Sequence, residues 1–267
     1  MRFIFKTSYD QDIRLARHGG HLFWYGLLLA LLLAAPWWLP EYWLAQLTFV
    51  LIYGMAGLGL MLLTGYTGLF SIGHAAFFGV GAYAEAILVN AGLPFPLAMV
   101  CAALLAGAVG IIVDLPALRV KGIYLAIATL AFGFIVEEVF ARWESVTGGN
   151  SGLLVDTPAL FGRELDSSTS FYFICLVTAV LCTLGLLNLL RAPTGRAVVA
   201  IRDSEISAQS MGIHLARYKT LSFALSAALA GFYLPEGFKD VAAYIVVLIM
   251  LMVMPNGLFG ERLVKKV

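Results

Sequence analysis

Residues 96–113 read PLAMVCAALLAGAVGIIV, a run of eighteen residues without a charged side chain. A run of about 20 apolar residues is long enough to cross the hydrocarbon core of a bilayer as one α-helix. Small residues recur in it at four-residue spacing, at Ala102, Ala106 and Gly110, and this spacing lets helices pack closely in lipid. The stretch therefore predicts a membrane-spanning helix that packs against other helices.

Seven more apolar runs lie on either side of this stretch. They cover about Leu22–Leu39, Trp43–Leu63, Ser71–Val89, Ile123–Phe140, Phe171–Leu190, Tyr218–Tyr233 and Val241–Met254. The last two are short for complete spans, which fits helices that are tilted or partly buried in protein. We therefore expect an all-α, polytopic transmembrane helix bundle of about eight spans, forming one domain over residues 1–267.

The overall composition agrees with a membrane protein. The 267 residues are 61% apolar and 12% charged, with a mean hydropathy of +0.91, whereas soluble domains are about half apolar and about a quarter charged. Charged residues are too few to cover a surface that faces water. The excess apolar surface must therefore face lipid. The net charge of +1 provides no field that would attract nucleic acid.

The basic residues predict the orientation of the bundle. With the N-terminus in the cytoplasm and the sides alternating at each run, only Arg142, Arg163 and Lys239 of the 17 Lys and Arg residues fall outside. Cytoplasmic segments of membrane proteins are enriched in Lys and Arg. Both termini are therefore predicted to be cytoplasmic.

Three segments outside the spans follow from this topology. Residues 1–21 form a charged cytoplasmic leader, and because the first run follows it and exceeds a normal signal-peptide core, we expect an uncleaved helix. Residues 141–170 form an external loop, and residues 191–217 form a cytoplasmic loop.

The cytoplasmic loop contains the sequence of a short helix that is closed at both ends. Asp203 and Ser204 are suitable N-caps, Glu205 favours the positive helix end, and Gly212 suits the C-terminal cap. These positions predict a helix of two to three turns. From the residues alone it is either an insert for a groove on a partner protein or an ordinary surface helix.

A glycine-rich junction, residues 65–76 (GYTGLFSIGHAA), joins two of the runs. Glycine weakens a helix by about 1 kcal/mol relative to alanine. One interpretation is a broken helix at membrane depth, whose free N–H and C=O groups face a substrate. The other is a cytoplasmic turn with an interfacial histidine.

Catalytic and nucleotide-binding motifs are absent from the sequence. There is no G-x-x-x-x-G-K-[ST] phosphate loop, so we expect no ATP site, no cofactor and no enzymatic activity in this chain. Cys101, Cys175 and Cys182 lack metal-ligand spacing, and no metal site is expected. An ion pathway through the carboxylates Glu85, Glu137 or Glu138 would instead indicate an ion-coupled secondary transporter.

In the glycine-rich junction, the cytoplasmic loop and several spans, the sequence resembles the LivM type of permease, found in branched-chain amino acid importers of the ATP-binding-cassette class. The matching stretches are Gly57–Leu60, Gly65–Gly68, Gly73–Phe77, Leu115–Arg119, Tyr124–Leu130 and Thr147–Gly149. The loop from Ala200 through Ile213 is similar to the family's EAA motif. The resemblance covers residues 47–232 and returns near Pro255–Gly260.

The resemblance implies a transport subunit in a bacterial inner membrane. Its expected partners are a second permease, two ATPase subunits that bind ATP and magnesium, and a periplasmic solute-binding protein. It assigns coupling to the ATPase to Arg202, Asp203, Glu205, Ser207, Ala208 and Gly212. For the pathway of leucine, isoleucine or valine we expect Tyr66, Thr67, Ser71, Gly73, His74 and Thr129. A related subgroup, which moves urea or short amides, stays an alternative.

The sequence departs from the family after Tyr233. A further glycine-rich span is expected there, whereas Tyr233 runs directly into Leu234-Pro235. Either the chain is naturally shortened, or a segment is omitted at the 233/234 junction. The sequence on both sides reads as ordinary family sequence, which favours omission.

Overall fold

The computed structural model describes residues 19–117, 122–153, 159–160, 163–164 and 168–232. The first part contains α1 (Gly19–Trp38), α2 (Glu41–Leu60), a π-helical turn (Met61–Tyr66), α3 (Ala75–Asn90), α4 (Phe95–Ala117) and α5 (Ile123–Arg142). The second contains α6 (Glu144–Thr147), a 3-10 turn (Gly149–Ser151), α7 (Ser168–Arg191), α8 (Pro193–Asp203), α9 (Glu205–Ser210) and α10 (Leu215–Ala230). Two strands of two residues each, β1 (Ala159–Leu160) and β2 (Arg163–Glu164), follow the 3-10 turn in the chain and pair antiparallel with each other.

The helices coincide with seven of the eight apolar runs, and the prediction of an all-α bundle holds apart from the two-residue strands. Four segments are long and apolar enough to cross a membrane: Glu41–Tyr66, Phe95–Asp114, Ile123–Arg142 and Ser168–Arg191. Shorter apolar helices cover Phe23–Trp38 and Ala75–Asn90. The run at Val241–Met254 and the 233/234 junction lie outside the described residues. The count of eight spans and the side of the termini stay predictions.

Helix α10 lies at the centre of the described bundle, where it packs on α3 and α4. Its Phe223 and Ala227 are fully buried in a cluster with Leu63, Phe77 and Leu125. Large apolar side chains elsewhere point outward, as Leu104 of α4 does with 67% of its surface exposed. The bundle therefore has a packed apolar core and also presents large apolar side chains to its surroundings, as expected of helices in lipid.

Small residues allow α10 to approach α3 and α4 closely. A Cβ atom on Gly81 would collide with the backbone of Gly231, and one on Gly110 would lie 2.7 Å from the Cβ of Ala227. Ala106 and Gly110, two of the small residues at four-residue spacing in α4, thus lie at this contact. Such close backbone contact replaces the hydrophobic effect as the packing force between helices in lipid.

Polar contacts between distant segments lie at both ends of the bundle. At the loop end, named here for the 191–217 loop, Arg202 bonds to the carbonyl of Gly65 at 2.9 Å, and Thr220 bonds to Asp114. At the opposite end, Ser168 donates to Glu41 at 3.0 Å. This grouping is the one that the alternating topology requires.

Gly81→Ala should destabilise the bundle, because the added methyl group overlaps the Gly231 backbone. Overpacking of this kind costs about 1–3 kcal/mol, which should lower the melting temperature of the detergent-purified protein. The matched control is Gly57→Ala, since no neighbour lies within 4 Å of that position. Equal melting temperatures for the two variants would contradict the close contact.

Candidate functional site

The 191–217 loop contains two short helices, α8 and α9. Pro193 occupies the first turn of α8, which buries Ala197, Val198 and Ile201 and ends at Asp203. Ser204 then adopts an extended conformation, with φ at −161°, and separates α8 from α9. α9 covers the six residues Glu205–Ser210, between the predicted caps, and is slightly shorter than the predicted two to three turns.

Both ends of α9 are capped as the sequence predicted. The Ser204 hydroxyl accepts a hydrogen bond from the Ser207 N–H at 3.3 Å, which makes Ser204 the N-cap. At the other end Gly212 has φ at +84°, its N–H bonds to Gln209 O at 3.0 Å, and the Ile213 N–H bonds to Ala208 O at 3.1 Å. This pair of bonds is the Schellman motif, which favours glycine at the left-handed position.

One face of α9 is buried and the other carries exposed apolar side chains. Ala208 is buried against the chain, while Ser207 and Gln209 point outward. Ile206 and Met211 have 82% and 83% of their surfaces exposed. Two large apolar side chains therefore protrude from the loop end.

Arg202 connects this loop to the glycine-rich junction. Its guanidinium donates to Gly65 O at 2.9 Å and, from Nε and Nη2, to Asp203 Oδ1 at 3.2 and 3.1 Å. Gly68 lies beside it, where φ is +74° and a Cβ atom would lie 3.0 Å from the Arg202 side chain. The candidate coupling residues and the start of the candidate pathway are thus in direct contact.

The glycine-rich junction is an irregular segment in which buried residues such as Thr67 and Ser71 alternate with exposed ones such as Phe70 and Ile72. After the π-helical turn, which includes the half-buried Tyr66, the buried Thr67 bonds through its hydroxyl to Leu62 O at 3.0 Å. The backbone then stays non-helical until α3 begins at Ala75. Irregular backbone covered by protein is the feature on which the broken-helix interpretation depended.

Thr129 of α5 supports the middle of this segment. Its hydroxyl accepts a hydrogen bond from the Ile72 N–H at 3.1 Å and donates to Ala126 O at 2.9 Å. Gly73 lies so close to Thr129 that a Cβ atom would overlap the Thr129 carbonyl. A cavity of about 350 Å³ opens beside this contact, between α3 and α5, and is lined by residues that include Gly73, Gly133, Phe134 and Glu137.

His74 lies at the end of the segment, in a polar cluster with α2 and α10. Its Nε2 atom is 3.5 Å from the Ser226 hydroxyl, which donates to Gly59 O at 2.6 Å. His74 Nδ1 and the buried Ser71 hydroxyl have no hydrogen-bond partner among the described residues. Sequence analysis missed Ser226, although the spacing of Ser222 and Ser226 along α10 is a signal of a polar helix face.

The carboxylates of the ion-coupled alternative are not gathered into one site. Glu137 and Glu138 are exposed near the end of α5, where Glu138 pairs with Arg142. Glu85 is buried in α3, and its oxygens have no partner within the part of the chain that the structure describes. That same part contains no group of three residues able to hold a metal ion.

A family model of the branched-chain amino acid transport system permease component matches residues 42–233. The chain belongs to this permease family. The match includes the glycine-rich junction, α8 and α9, and it ends at the residue where the sequence departs from the family pattern. The resemblance drawn from the motifs is confirmed.

Two curated relatives carry the same description. The chain is 36% identical over 230 residues to the high-affinity branched-chain amino acid transport system permease protein LivM of Escherichia coli K12, covering 77% of this chain and 54% of the relative. It is also 36% identical over 210 residues to LivM of Salmonella typhimurium LT2, covering 69% and 49%. The chain thus spans about half the length of these relatives. No solved structure matches it.

Gly212→Ala should loosen α9, because alanine in the left-handed region costs about 1–2 kcal/mol. We expect faster hydrogen exchange of the α9 amides in the purified protein. Gly212→Asn is the matched control, since asparagine tolerates this conformation. Slow exchange in the alanine variant would argue against the capping role.

Thr129→Val should destabilise the glycine-rich junction by about 1–3 kcal/mol, because the Ile72 N–H loses its buried acceptor while the side chain keeps its size. The melting temperature in detergent measures this loss. Thr129→Ser keeps the hydroxyl and should behave like the parent protein. A valine variant as stable as the serine variant would contradict the bridge.

Proposed function

We propose that this chain is a permease subunit of an ATP-driven importer for branched-chain amino acids in the inner membrane of a bacterium. Its α9 helix docks on an ATPase subunit, which binds the ATP and magnesium. A second permease completes the pathway, and a periplasmic protein delivers the solute. Leucine, isoleucine and valine are the proposed substrates, because both relatives are named as permeases for branched-chain amino acids.

The observation that carries this proposal is the exposed apolar face of α9. Ile206 and Met211 protrude from the loop end, where the charge pattern predicts water and not lipid. Exposed apolar groups of this kind mark interaction sites in water. An ATPase subunit with an apolar cleft would bury both.

The way α9 is held also supports docking. The Ser204 and Gly212 caps fix its ends, and Arg202 attaches the preceding residues to the Gly65 carbonyl. A helix held in place loses little conformational freedom on binding. Such a helix also transmits a movement of the ATPase subunit to the membrane helices.

For the substrate pathway we propose the region around His74 and Thr129, together with Tyr66, Thr67, Ser71 and Gly73. The cavity of about 350 Å³ beside Gly73 is largely apolar, as a branched aliphatic side chain requires. The unpartnered polar atoms of Ser71 and His74 lie in the same segment. Such groups are suited to the ammonium and carboxylate of an amino acid.

The proposal is tested by purifying the chain with its neighbouring subunits and measuring uptake of radiolabelled leucine into proteoliposomes with enclosed ATP. We expect ATPase subunits to co-purify and uptake to need hydrolysable ATP. Uptake driven by a proton or sodium gradient without ATP would instead support the ion-coupled class. Uptake of urea in preference to leucine would overturn the substrate.

Ile206→Asp should release the ATPase subunit. Burying an isoleucine side chain stabilises a contact by about 1.5–3 kcal/mol, and every 1.4 kcal/mol changes affinity about tenfold. We expect at least a tenfold weaker association in a titration of the purified subunits. Ile206→Leu keeps the apolar surface and serves as the control. Unchanged affinity of the aspartate variant would show that this face is not the docking surface.

A further inference from the structure

Lys219 of α10 is a buried cation that holds α9 from inside the bundle. Its Nζ atom donates to Glu205 Oε1 at 2.7 Å, with only 6% of the lysine side chain and 27% of the glutamate side chain exposed. Glu205 is the first residue of α9, so this ion pair joins the candidate docking helix directly to α10.

A second carboxylate, Asp114, contacts the same region of α10. Asp114 of α4 is buried, accepts a hydrogen bond from the hydroxyl of Thr220, and attracts Lys219 electrostatically. Lys219 and Thr220 are neighbours in the chain. One short segment of α10 therefore connects a carboxylate of α9 with a carboxylate of α4.

The Lys219–Glu205 connection differs from the bond of Arg202 to the Gly65 carbonyl, which also joins the loop to the bundle. The Arg202 side chain is 43% exposed, and water and salt weaken exposed ion pairs and hydrogen bonds. The Lys219–Glu205 pair is shielded, and removing one partner of a shielded pair leaves an uncompensated charge in the protein. Water and salt therefore weaken the Lys219–Glu205 pair less than they weaken the contacts of Arg202.

We propose that Lys219 is a positioning residue that makes α9, α10 and α4 move as one unit when the ATPase subunits close. The inference rests on the proposed function, and it assigns the transmission of force to one buried lysine. α10 also packs on α3, next to His74 and Ser226. A displacement of α9 would therefore reach the proposed substrate region through α10.

The test compares Lys219→Met with Lys219→Arg in the complete transporter reconstituted in proteoliposomes. Three quantities are measured: ATPase co-purification, ATP hydrolysis, and leucine taken up per ATP hydrolysed. Lys219→Met should retain the ATPase subunits, because it leaves the proposed docking side chains Ile206 and Met211 unchanged, but uptake per ATP should fall about tenfold. Lys219→Arg keeps the charge and should restore most of the ratio.

Arg217→Met is the matched control. It removes the same charge from an exposed position on the same helix, so it should leave the uptake ratio within about twofold of the parent. If Lys219→Met does not fold, Lys219→Gln, which keeps a hydrogen-bond donor for Glu205, takes its place with the same expectation of a lower ratio.

The outcomes separate this inference from the proposed function. An unmodified chain that binds no ATPase, or that takes up leucine without ATP, would overturn both. A coupled parent protein with an equally coupled Lys219→Met variant would overturn only the role of Lys219. The same holds if Arg217→Met lowers the ratio as much as Lys219→Met does.

Discussion

A backbone inside a membrane has no water to satisfy its N–H and C=O groups, so it can leave the helical conformation only where protein covers it. The broken-helix interpretation of the Thr67–His74 segment depends on such cover, and the contacts of its buried residues supply part of it. Thr129 accepts from the Ile72 N–H, Thr67 bonds back to the π-helical turn, and Gly73 lies directly against α5. Because the segment is non-helical, it offers polar groups that a continuous helix would have used internally.

The same constraint explains why the small residues are placed where they are. α10 packs closely against α2, α3 and α4, and it reaches the end of the irregular segment at His74. Gly59, Gly81 and Gly110 remove the side chains that would prevent that approach. Ser226, at the centre of α10, then reaches both Gly59 and His74. α10, which binds α9 through Lys219, is therefore also the helix that contacts His74 of the candidate pathway.

The sequence predicts the helices well because lipid imposes a simple rule of length and apolarity, which the runs at Pro96–Val113 and Phe171–Leu190 obey. It also predicts the caps of α9, because Ser204 and Gly212 act through local backbone geometry. It does not predict how α8 packs through the buried Val198 and Ile201, since this packing depends on residues far away in the chain. Contacts between distant residues, such as Lys219 with Glu205 and Ser226 with His74, leave no local pattern in the chain.

The central claim is that α9 faces the cytoplasm, and sided labelling of a cysteine at position 209 tests it most directly. In a background without Cys101, Cys175 and Cys182, Gln209→Cys should react with a membrane-impermeant maleimide in inside-out vesicles and stay unlabelled in intact cells. Glu144→Cys, at the start of α6, should show the opposite pattern. Labelling of position 209 from outside intact cells would contradict the account.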